Sequence, residues 1–483
     1  MLMRCAGRFW AVFILALTGC GGASGPAGST SGPTGDVSKP RGSPWSSPTL
    51  VADGAFYPQV AVDGEGNILL VWEQGPTDWR NDYYAESVWA KRFVPGSGWG
   101  PSEKLWDLGH LGPLNPLNPR VAVLPSGDAI VAWSVRDKTG AVWVDEFDPA
   151  SGWSPPLRLA ETEYRVPGFA IVPKPPMVAA GGDGAFVVFN KDGCTRPTPP
   201  TCAVYTYAVH ASRWSLKDGF SSPQLVLQAV GERAAADTAG GAFVVGRVPY
   251  GGEGLAVARF EAKRGWLPAD VISVTRLAEV WGQAIDSTGS DRIFSSVYEE
   301  PSVSSSSYSL WDTSFRPGSG WEPPQRIGSS SLRIVGGPAI SLDQNGGAAA
   351  AWAQLSPSGI WASRLDSSGA WGEPQALQTD ASGRCPAVTS DGTGGFVAAW
   401  RQDDTKASSV WATRFSPQQG WRQPVLVHTI FAAAAWSVGC PMLAATPDGH
   451  SLLFWQQSSI ARLPGLRPAT GDRAVYMSRF EGE

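Results

Sequence analysis

The sequence predicts an all-β fold, an eight-bladed β-propeller with four antiparallel strands in each blade. The chain of 483 residues contains 57 Gly and 23 Trp, a composition typical of short strands joined by tight turns. A Gly-Trp step, or a similar step with another residue before the Trp, recurs along it at intervals of 50 to 61 residues. A repeat of this length suits one four-stranded propeller blade with long loops.

The Gly-Trp steps mark the fourth strand of each repeat. In most copies a Pro follows two or three residues after the Trp, as in Gly98-Trp99-Gly100-Pro101. Trp214 is interpreted as a degenerate copy of this step. A matching segment, Pro44–Leu50, stands ahead of the first complete repeat. The tryptophans assigned to the step are Trp45, Trp99, Trp153, Trp214, Trp266, Trp321, Trp371 and Trp421.

Every repeat has the same internal order of strands. In the first repeat, a strand over Pro58–Asp63 precedes a Gly-rich hairpin turn, a second strand ends on Trp72, and a third covers Val88–Phe93. The eight first strands begin near residues 58, 119, 176, 233, 283, 338, 386 and 441.

The last repeat lacks a fourth strand of its own, since the sequence stops shortly after its third strand. We therefore expect Pro44–Leu50 to supply the fourth strand of the last blade. Such a closure leaves the ring without free sheet edges, which would otherwise invite aggregation. The predicted propeller covers residues 44–483.

Tryptophan abundance is explained by the core of the repeats. Eighteen of the 23 Trp fall on repeat positions, five on second strands, five on third strands and eight on fourth strands. Each buries roughly 150–250 Å² of surface. We therefore expect the repeat tryptophans to pack between blades rather than to bind a ligand.

The N-terminal residues have the pattern of a bacterial export signal. Arg4 and Arg8 precede and flank the apolar run Phe9–Leu17, which is too short to cross a hydrocarbon core of ~30 Å as a helix. A signal peptide over residues 1–19 is therefore expected rather than a transmembrane helix.

Leu17-Thr18-Gly19-Cys20 resembles the lipobox of bacterial lipoproteins. The resemblance implies that Cys20 is lipidated and becomes the first residue of a membrane-anchored protein of the bacterial cell envelope. Residues 20–43 are rich in Gly, Ser and Pro and predict a flexible tether. Gly21 follows the cysteine where an Asp would resemble an inner-membrane retention signal, so the resemblance favours the outer membrane.

Composition argues against several classes of partner. The formal net charge is −5 and the sequence contains no basic stripe, so no nucleic acid partner is expected. With four His in the chain and no Cys/His cluster of metal-binding spacing, we expect no metal site and no cofactor.

Four cysteines of the mature chain predict two disulfides in an oxidising compartment. Cys194 and Cys202 bracket a Pro- and Thr-rich segment and are expected to close a loop. Cys385 and Cys440 each precede a Pro at the same position of successive first strands. Because these strands lie side by side, their sulfur atoms are expected to meet at the mouth of the channel.

Candidate ligand-binding residues lie on the face that carries the variable second-to-third loops and the blade-to-blade connections. Aromatic rings beside polar groups suit a sugar face, although the same rings could plug the channel or pack under long loops. The candidates are Trp79, Tyr83, Tyr84, Trp106, His110, Trp281 and Trp436.

The repeats resemble those of sialidase-like (BNR-type) and lectin-type propellers, but the Ser-x-Asp-x-Gly-x-Thr-Trp box of the sialidase-like group is absent. A glycosidase needs two carboxylates about 5–10 Å apart, and the loop carboxylates show no such pattern; they are Asp78, Asp82, Asp107, Glu161, Glu163, Glu299 and Glu300. No catalytic residue is assigned. The favoured hypothesis is a non-enzymatic binding or scaffold lipoprotein that recognises a glycan or a protein. The alternative is a glycan-active hydrolase or lyase.

Overall fold

A computed structural model describes most of the chain after residue 41. The described residues are 42–75, 86–107, 118–135, 140–161, 174–191, 193–198, 201–249, 254–272, 277–285, 291–298, 308–316, 318–332, 334, 338–343, 346–355, 357–366, 368–379, 382–404, 407–431, 436–459 and 473–481; for 194–198, 201–205, 277–285, 291–298, 308, 309, 329–332, 382, 431, 436 and 459 this holds for the backbone alone. Gly35–Glu483 form one compact unit. None of the described segments contains an α-helix that could cross a membrane.

Eight antiparallel sheets, numbered here as blades, contain the strands in chain order. Blade 1 consists of β2 (Phe56–Val62), β3 (Ile68–Gln74), β4 (Ser87–Val94) and β5 (Gly98–Asp107), and blade 2 of β6 (Arg120–Val123), β7 (Ala129–Val135), β8 (Ala141–Asp148), β9 (Gly152–Trp153) and β10 (Leu157–Glu161). Blade 3 consists of β11 (Met177–Gly181), β12 (Gly184–Asn190), β15 (Val209–Ser215), β16 (Gly219–Phe220) and β17 (Gln224–Leu227), with a separate ribbon of β13 (Gly193–Thr198) and β14 (Thr201–Thr206). Blade 4 consists of β18 (Val230–Ala236), β19 (Ala242–Arg247), β20 (Leu255–Glu261), β21 (Gly265–Trp266) and β22 (Asp270–Ile272).

The second half of the ring repeats this order. Blade 5 consists of β23 (Leu277–Ile285), β24 (Asp291–Tyr298), β25 (Tyr308–Arg316), β26 (Gly320–Trp321) and β27 (Gln325–Leu332), and blade 6 of β28 (Ala339–Leu342), β29 (Ala348–Leu355), β30 (Ser358–Leu365) and β31 (Gln375–Gln378). Blade 7 consists of β32 (Ser382–Ser390), β33 (Phe396–Asp403), β34 (Ala407–Ser416), β35 (Gly420–Trp421) and β36 (Val425–Phe431). Blade 8 consists of β37 (Trp436–Val438), β38 (Met442–Ala445), β39 (Ser451–Ser459), β40 (Arg473–Arg479) and β1 (Thr49–Asp53).

The first strands of the blades form a closed ring around a central axis. Each first strand contacts the first strand of the next blade, in the order β2, β6, β11, β18, β23, β28, β32, β38 and back to β2. The predicted eight-bladed propeller is confirmed.

The N-terminal segment closes the ring, as the repeat count predicts. β1 pairs antiparallel with β40, so that Thr49 lies opposite Met477 and Asp53 opposite Ala474. Ahead of β1, Trp45 forms an isolated bridge with Phe480 and is 2% exposed. The closing strand therefore extends three residues beyond the predicted segment, and the tryptophan is a separate contact in front of it.

One repeat position differs from the prediction. Trp214 belongs to the third strand of blade 3 and lies opposite Phe220 in register. Gly219-Phe220 occupies the place of the Gly-Trp step, so the assignment of Trp214 to the fourth strand is wrong. Its neighbour Arg213 shows the true alignment, because Arg followed by an aromatic residue ends most third strands.

Aromatic pairs on the second and third strands form the centre of the blades. Trp72 lies opposite Trp89 in register, and their rings are stacked with centroids 6.4 Å apart. Such cross-strand pairs stabilise an antiparallel sheet by roughly 0.2–1 kcal/mol each. The same pairing joins Trp133 with Trp143, Trp352 with Trp361, Trp400 with Trp411 and Trp455 with Tyr476.

Neighbouring blades are joined by an arginine on a third strand that lies over an aromatic ring of the next blade. The guanidinium carbon of Arg92 is 5.3 Å from the centroid of the Phe147 ring, and that of Arg414 is 5.4 Å from the Phe480 ring. A contact of this kind contributes about 0.5–2 kcal/mol. It recurs between Arg213 and Phe260, Arg259 and Phe315, and Arg364 and Phe415.

The unit 54–483, which lacks Trp45 and β1, should unfold well below the unit 42–483. The truncation removes the buried side chains Trp45, Val51 and Ala52 from blade 8, and loss of a buried Trp side chain alone costs about 3–5 kcal/mol. The unit 35–483 serves as a control, since it lengthens the N-terminus and keeps Trp45 and β1. Thermal unfolding of the three chains measures the effect. Equal midpoints for 54–483 and 42–483 would contradict the closure of the ring by β1.

Candidate functional site

The axial channel has two ends that differ in their loops. The loop face carries the starts of the first strands, the second-to-third loops and the blade-to-blade connections. The turn face carries the first-to-second and third-to-fourth hairpins. Many loop-face segments, including 76–85, 108–117, 162–173 and 460–472, lie outside the described residues.

Most of the predicted ligand-binding residues also lie outside the described side chains. Trp79, Tyr83 and Tyr84 fall within 76–85, and His110 falls within 108–117. The backbone of Trp281 lies inside β23, and that of Trp436 begins β37 opposite Ser459. A role for these residues in ligand binding stays a prediction, as does the lipidation of Cys20.

Trp106 is described, and it packs in the core between blades 1 and 2. It belongs to β5 instead of following the fourth strand. Its ring centroid lies 6.2 Å from that of Trp133 and 6.2 Å from that of Trp143. This contact agrees with the packing interpretation and gives Trp106 a structural role.

A strained backbone position recurs where the channel opens on the loop face. Tyr57, Asn118 and Cys385 have φ values of 50°, 48° and 52°, and each precedes the Pro at the start of a first strand. Left-handed backbone at a non-glycine residue costs of order 1–3 kcal/mol and persists where its surroundings fix it. The Tyr57 side chain is 51% exposed at this mouth.

A disulfide fixes the same mouth between blades 7 and 8. Cys385 and Cys440 are bonded, with their Cα atoms 5.3 Å apart. The sequence predicts this pair from its register. The bond closes a loop with a separation of 55 residues, for which the chain-entropy model gives about 4 kcal/mol of stabilisation.

The second predicted disulfide falls on the ribbon that projects from blade 3. In the backbone, Cys194 lies opposite Tyr205 and Cys202 lies opposite Pro197. The side chains of both cysteines are outside the described part of the structure, so their pairing stays a prediction.

A layer of polar side chains lies just below the mouth. Gln59, Arg120 and Arg233 each stand four residues before the hairpin residue that ends a first strand, in blades 1, 2 and 4. Each side chain turns back towards the loop face and donates a hydrogen bond to the backbone carbonyl of the preceding residue, at 2.7, 3.1 and 2.8 Å respectively. Ala339, Ala387 and Met442 hold the same position in blades 6, 7 and 8.

Arg120, one of the two arginines of this layer, has a pKa below its ordinary value. Burial lowers the pKa of the Arg120 guanidinium, the positive charge of Arg233 lowers it further, and the carboxylate of Glu73 opposes both effects. Blade 3 lies between the blades that hold the two arginines. Glu73 is fully buried and accepts a hydrogen bond from the backbone N–H of Asn118.

At the turn face the axis of the ring contains a cavity of about 540 Å³. Its walls are the last residues of the first strands and their hairpins from blades 1, 2, 3, 4, 6, 7 and 8. Small and hydroxyl-bearing side chains predominate, and Ser341 Oγ accepts a hydrogen bond of 3.0 Å from the backbone N–H of Ser390. The volume suits a small ligand.

The aspartates around this cavity hold the hairpins together. Asp63 Oδ1 accepts backbone N–H bonds from Glu65 and Asn67 at 2.9 and 2.8 Å. Asp391 does the same within its own turn and receives Arg414 Nη2 at 2.8 Å. Such an Asp-centred turn fixes a hairpin by local hydrogen bonding, so these buried carboxylates have a structural use. Asp237 and Asp343 repeat it.

Two of the loop-face carboxylates considered for hydrolysis are described, and both form exposed ion pairs. Asp107 lies 2.7 Å from Lys104, and Glu161 lies 2.6 Å from Arg158; the other carboxylates considered lie outside the described residues. In the described part of the chain, no three His, Cys, Asp or Glu side chains are placed to hold a metal ion.

The chain matches no protein-family model and no curated protein. Similar solved structures include a protein of unknown function from Dyadobacter fermentans (11% identity, 89% of this chain and 97% of that chain, TM-score 0.43). They also include the BP39L lectin from Burkholderia pseudomallei (13%, 79% and 100%, TM-score 0.49) and the NanB sialidase from Streptococcus pneumoniae (9%, 93% and 70%, TM-score 0.38). A lectin and a sialidase are both among these structures, so the likenesses do not distinguish a binding function from a hydrolytic one.

One buried carboxylate away from the channel should make stability depend on pH. Asp145 is 1% exposed, and burial raises its pKa to about 7, although Ser154 Oγ and the Glu146 N–H donate to it at 3.0 and 2.8 Å. Between pH 4 and 7 the folded state keeps a proton that the unfolded state releases, so Asp145 destabilises the fold as pH rises.

D145N should therefore gain stability relative to the wild type between pH 4 and 7, by a few kcal/mol. D148N is the control. Backbone N–H groups of Ala150 and Ser151 lower the pKa of Asp148, so the contribution of Asp148 to stability is constant above pH 4 and is lost only as the pH falls below that value. Urea unfolding at several pH values measures both. If the free energy of unfolding of D145N changed with pH in parallel with that of the wild type, the raised pKa of Asp145 would be refuted.

Proposed function

We propose that this chain is a non-enzymatic binding or scaffold lipoprotein that recognises a glycan or a protein partner at the loop-face mouth of the axial channel. The layer of Gln59, Arg120 and Arg233 carries the proposal. Its members stand at one level of the channel, where the equivalent residues of blades 6, 7 and 8 are apolar.

Arg120 and Arg233 differ in their position in the blade from the arginines that recur on the third strands. Arg92 and Arg414 join neighbouring blades through Phe147 and Phe480. Arg120 and Arg233 lie on first strands instead, and burial of the Arg120 guanidinium costs free energy. A ligand in the channel gives this arrangement a use.

The mouth is also held in one conformation before any ligand arrives. The Cys385–Cys440 bond and the left-handed residues Tyr57 and Asn118 fix the starts of four first strands. Groups that are ordered in advance lose less conformational entropy on binding, which favours affinity. These features support recognition on the axis.

A glycan array with the unit 35–483 tests recognition of a sugar ligand. We expect binding by the wild type, loss of at least tenfold in affinity for Q59W, which narrows the channel, and no change for A150W in an exposed turn of the opposite face. Thermal unfolding checks that both variants fold. Binding by Q59W equal to that of the wild type contradicts the axial site.

Recognition of a protein partner is tested by placing a photoreactive amino acid at Tyr57 in the full chain in its host. We expect a cross-linked partner from position 57 and none from position 150. Failure to cross-link any partner, together with an array that shows no bound glycan, contradicts the proposed function.

The proposal includes the lipid anchor. We expect C20A to lose membrane association, because the anchor is covalent and precedes the propeller, whereas the melting temperature of the domain stays within about 1 °C of the wild type, as is usual for a change outside the core. Detergent-phase partitioning and membrane fractionation measure the first effect. Partitioning of C20A into the detergent phase contradicts lipidation at this residue.

A further inference from the structure

A pocket of about 300 Å³ lies between blades 1 and 2. Its lining comes from β3, β4 and β5 of blade 1, with the hairpin that joins the last two strands, and from β8 and β9 of blade 2. The pocket is therefore separate from the axial channel, which the first strands enclose. Its buried end is apolar and consists of Leu69, Ala90 and the Phe147 ring, and the indole of Trp153 adds a further wall.

The same space recurs between blades 7 and 8. Trp45 lies opposite Phe480 there, as Trp153 lies opposite Phe147 in blade 2. The pocket beside Trp45 has a volume of only about 60 Å³. Trp45 is 2% exposed, whereas Trp153 is partly exposed. A residue that differs between blades 7 and 1 therefore opens the pocket beside Trp153.

The residue that follows the fourth-strand tryptophan makes this difference. In blade 7 it is Arg422, whose side chain lines the smaller pocket, and in blade 1 it is Gly100. A Cβ atom at Gly100 would meet the Arg92 carbonyl oxygen at 3.5 Å, an ordinary van der Waals contact. The backbone thus has room for a side chain at position 100. Between blades 1 and 2 the chain leaves open a space that an arginine covers between blades 7 and 8.

The open pocket also has a carboxylate at its rim. Glu103 lies opposite Ala90 in register, and Val425 lies opposite Ala412 at the same position of blade 7. The Glu103 side chain is exposed. Blade 1 therefore lacks the arginine that covers the smaller pocket and carries an acidic group where blade 7 has an apolar one.

Lys91 and Arg92, which also line the pocket, have contacts within the fold. Lys91 Nζ donates a hydrogen bond of 2.9 Å to the carbonyl oxygen of Val51 in blade 8. Arg92 Nη2 lies 3.9 Å from Asp63 Oδ2, and its guanidinium carbon lies over the Phe147 ring. The carboxylate at the rim is thus the charge that the pocket offers to a ligand.

An arginine side chain suits each part of this pocket. Its planar guanidinium group stacks on aromatic faces, of which that of tryptophan is the most favourable. The same group pairs with a carboxylate through two parallel hydrogen bonds. Its methylene stem covers apolar surface while the charged end stays near water.

We propose that the pocket between blades 1 and 2 binds an arginine side chain of a partner protein, with the guanidinium group stacked on Trp153 and paired with Glu103. The chain's own Arg422 at the equivalent pocket and the acidic rim carry this proposal. The site is independent of the one proposed at the axial mouth.

Saturation-transfer NMR with the unit 35–483 tests the site with two short peptides, acetyl-Gly-Arg-Gly amide and the same peptide with citrulline in place of arginine. Citrulline keeps the shape of arginine but lacks its charge. A single side chain binds weakly, so the peptides are used at millimolar concentration. We expect the arginine peptide to bind about fivefold more tightly or better, because hydrogen bonds to charged groups are the stronger ones. Its affinity should fall as salt rises.

Two variants change the pocket itself. G100R supplies the side chain that blade 7 has at this position and should abolish binding of the arginine peptide. E103Q removes the charge at the rim and should weaken binding about fivefold. Because Glu103 is exposed, E103Q stays informative if G100R fails to fold.

G372R is the matched control. Gly372 follows the tryptophan of blade 6, and a Cβ atom there would meet the Arg364 carbonyl oxygen at the same 3.5 Å. Gln375 holds the register position of Glu103 in that blade, so the acidic rim is missing. G372R should bind the arginine peptide as the wild type does, and thermal unfolding checks that all the variants fold.

Every outcome bears on the proposal. Equal binding of the arginine and citrulline peptides, or binding of neither, overturns it. Binding that is unchanged in folded G100R or in E103Q also overturns it. Binding that is lost in Q59W but kept in G100R would place the arginine in the axial channel and contradict the proposed pocket. If a monosaccharide binds, loses its binding in G100R, and the arginine peptide does not bind, the pocket is a sugar site and the arginine assignment is wrong.

Discussion

The pairing of β1 with β40 is the constraint on which the rest of the structure depends. It joins residues near the start of the propeller to the third strand of its last blade, so that β38 also contacts β2 and the ring of first strands is complete. A channel, its mouth and the cavity at its far end exist only while the ring is closed. The pairing also covers the outer edge of β40, which would otherwise expose unpaired backbone groups.

The same few contacts recur from blade to blade around the closed ring. An Asp-centred hairpin holds the Arg of its own third strand in the pair of Asp391 with Arg414, and that Arg lies over Phe480 of the next blade. A hydroxyl group one residue earlier in the third strand adds a further tie, as Thr413 Oγ1 donates to the carbonyl of Arg422 at 2.7 Å. The corresponding bonds come from Ser212, Thr313, Ser363 and Ser478. Each contact contributes a modest free energy of stabilisation, and its repetition around the ring makes the total contribution large.

Features that repeat could be predicted from the sequence, and those that occur once could not. The blade count, the closure by the N-terminal segment and the Cys385–Cys440 pair follow from register, because the same position in successive blades has the same place in space. Trp214 was assigned wrongly because a tryptophan alone does not distinguish the end of a third strand from the start of a fourth. Arg120 and Arg233 were missed because a charge at this position departs from the apolar pattern by which the first strands were matched. Aligning the eight first strands at their hairpins would have shown both charges at one level.

Hydrogen–deuterium exchange of the unit 35–483 tests the closed ring most directly. The account predicts that the amides of β1 and β40 exchange as slowly as those of β33 in the middle of blade 7, because opening the closing blade removes buried aromatic contacts and the channel together. Fast exchange of β1 and β40 under conditions where β33 stays protected would contradict the account, since it would show that the ring stands without its closing strand.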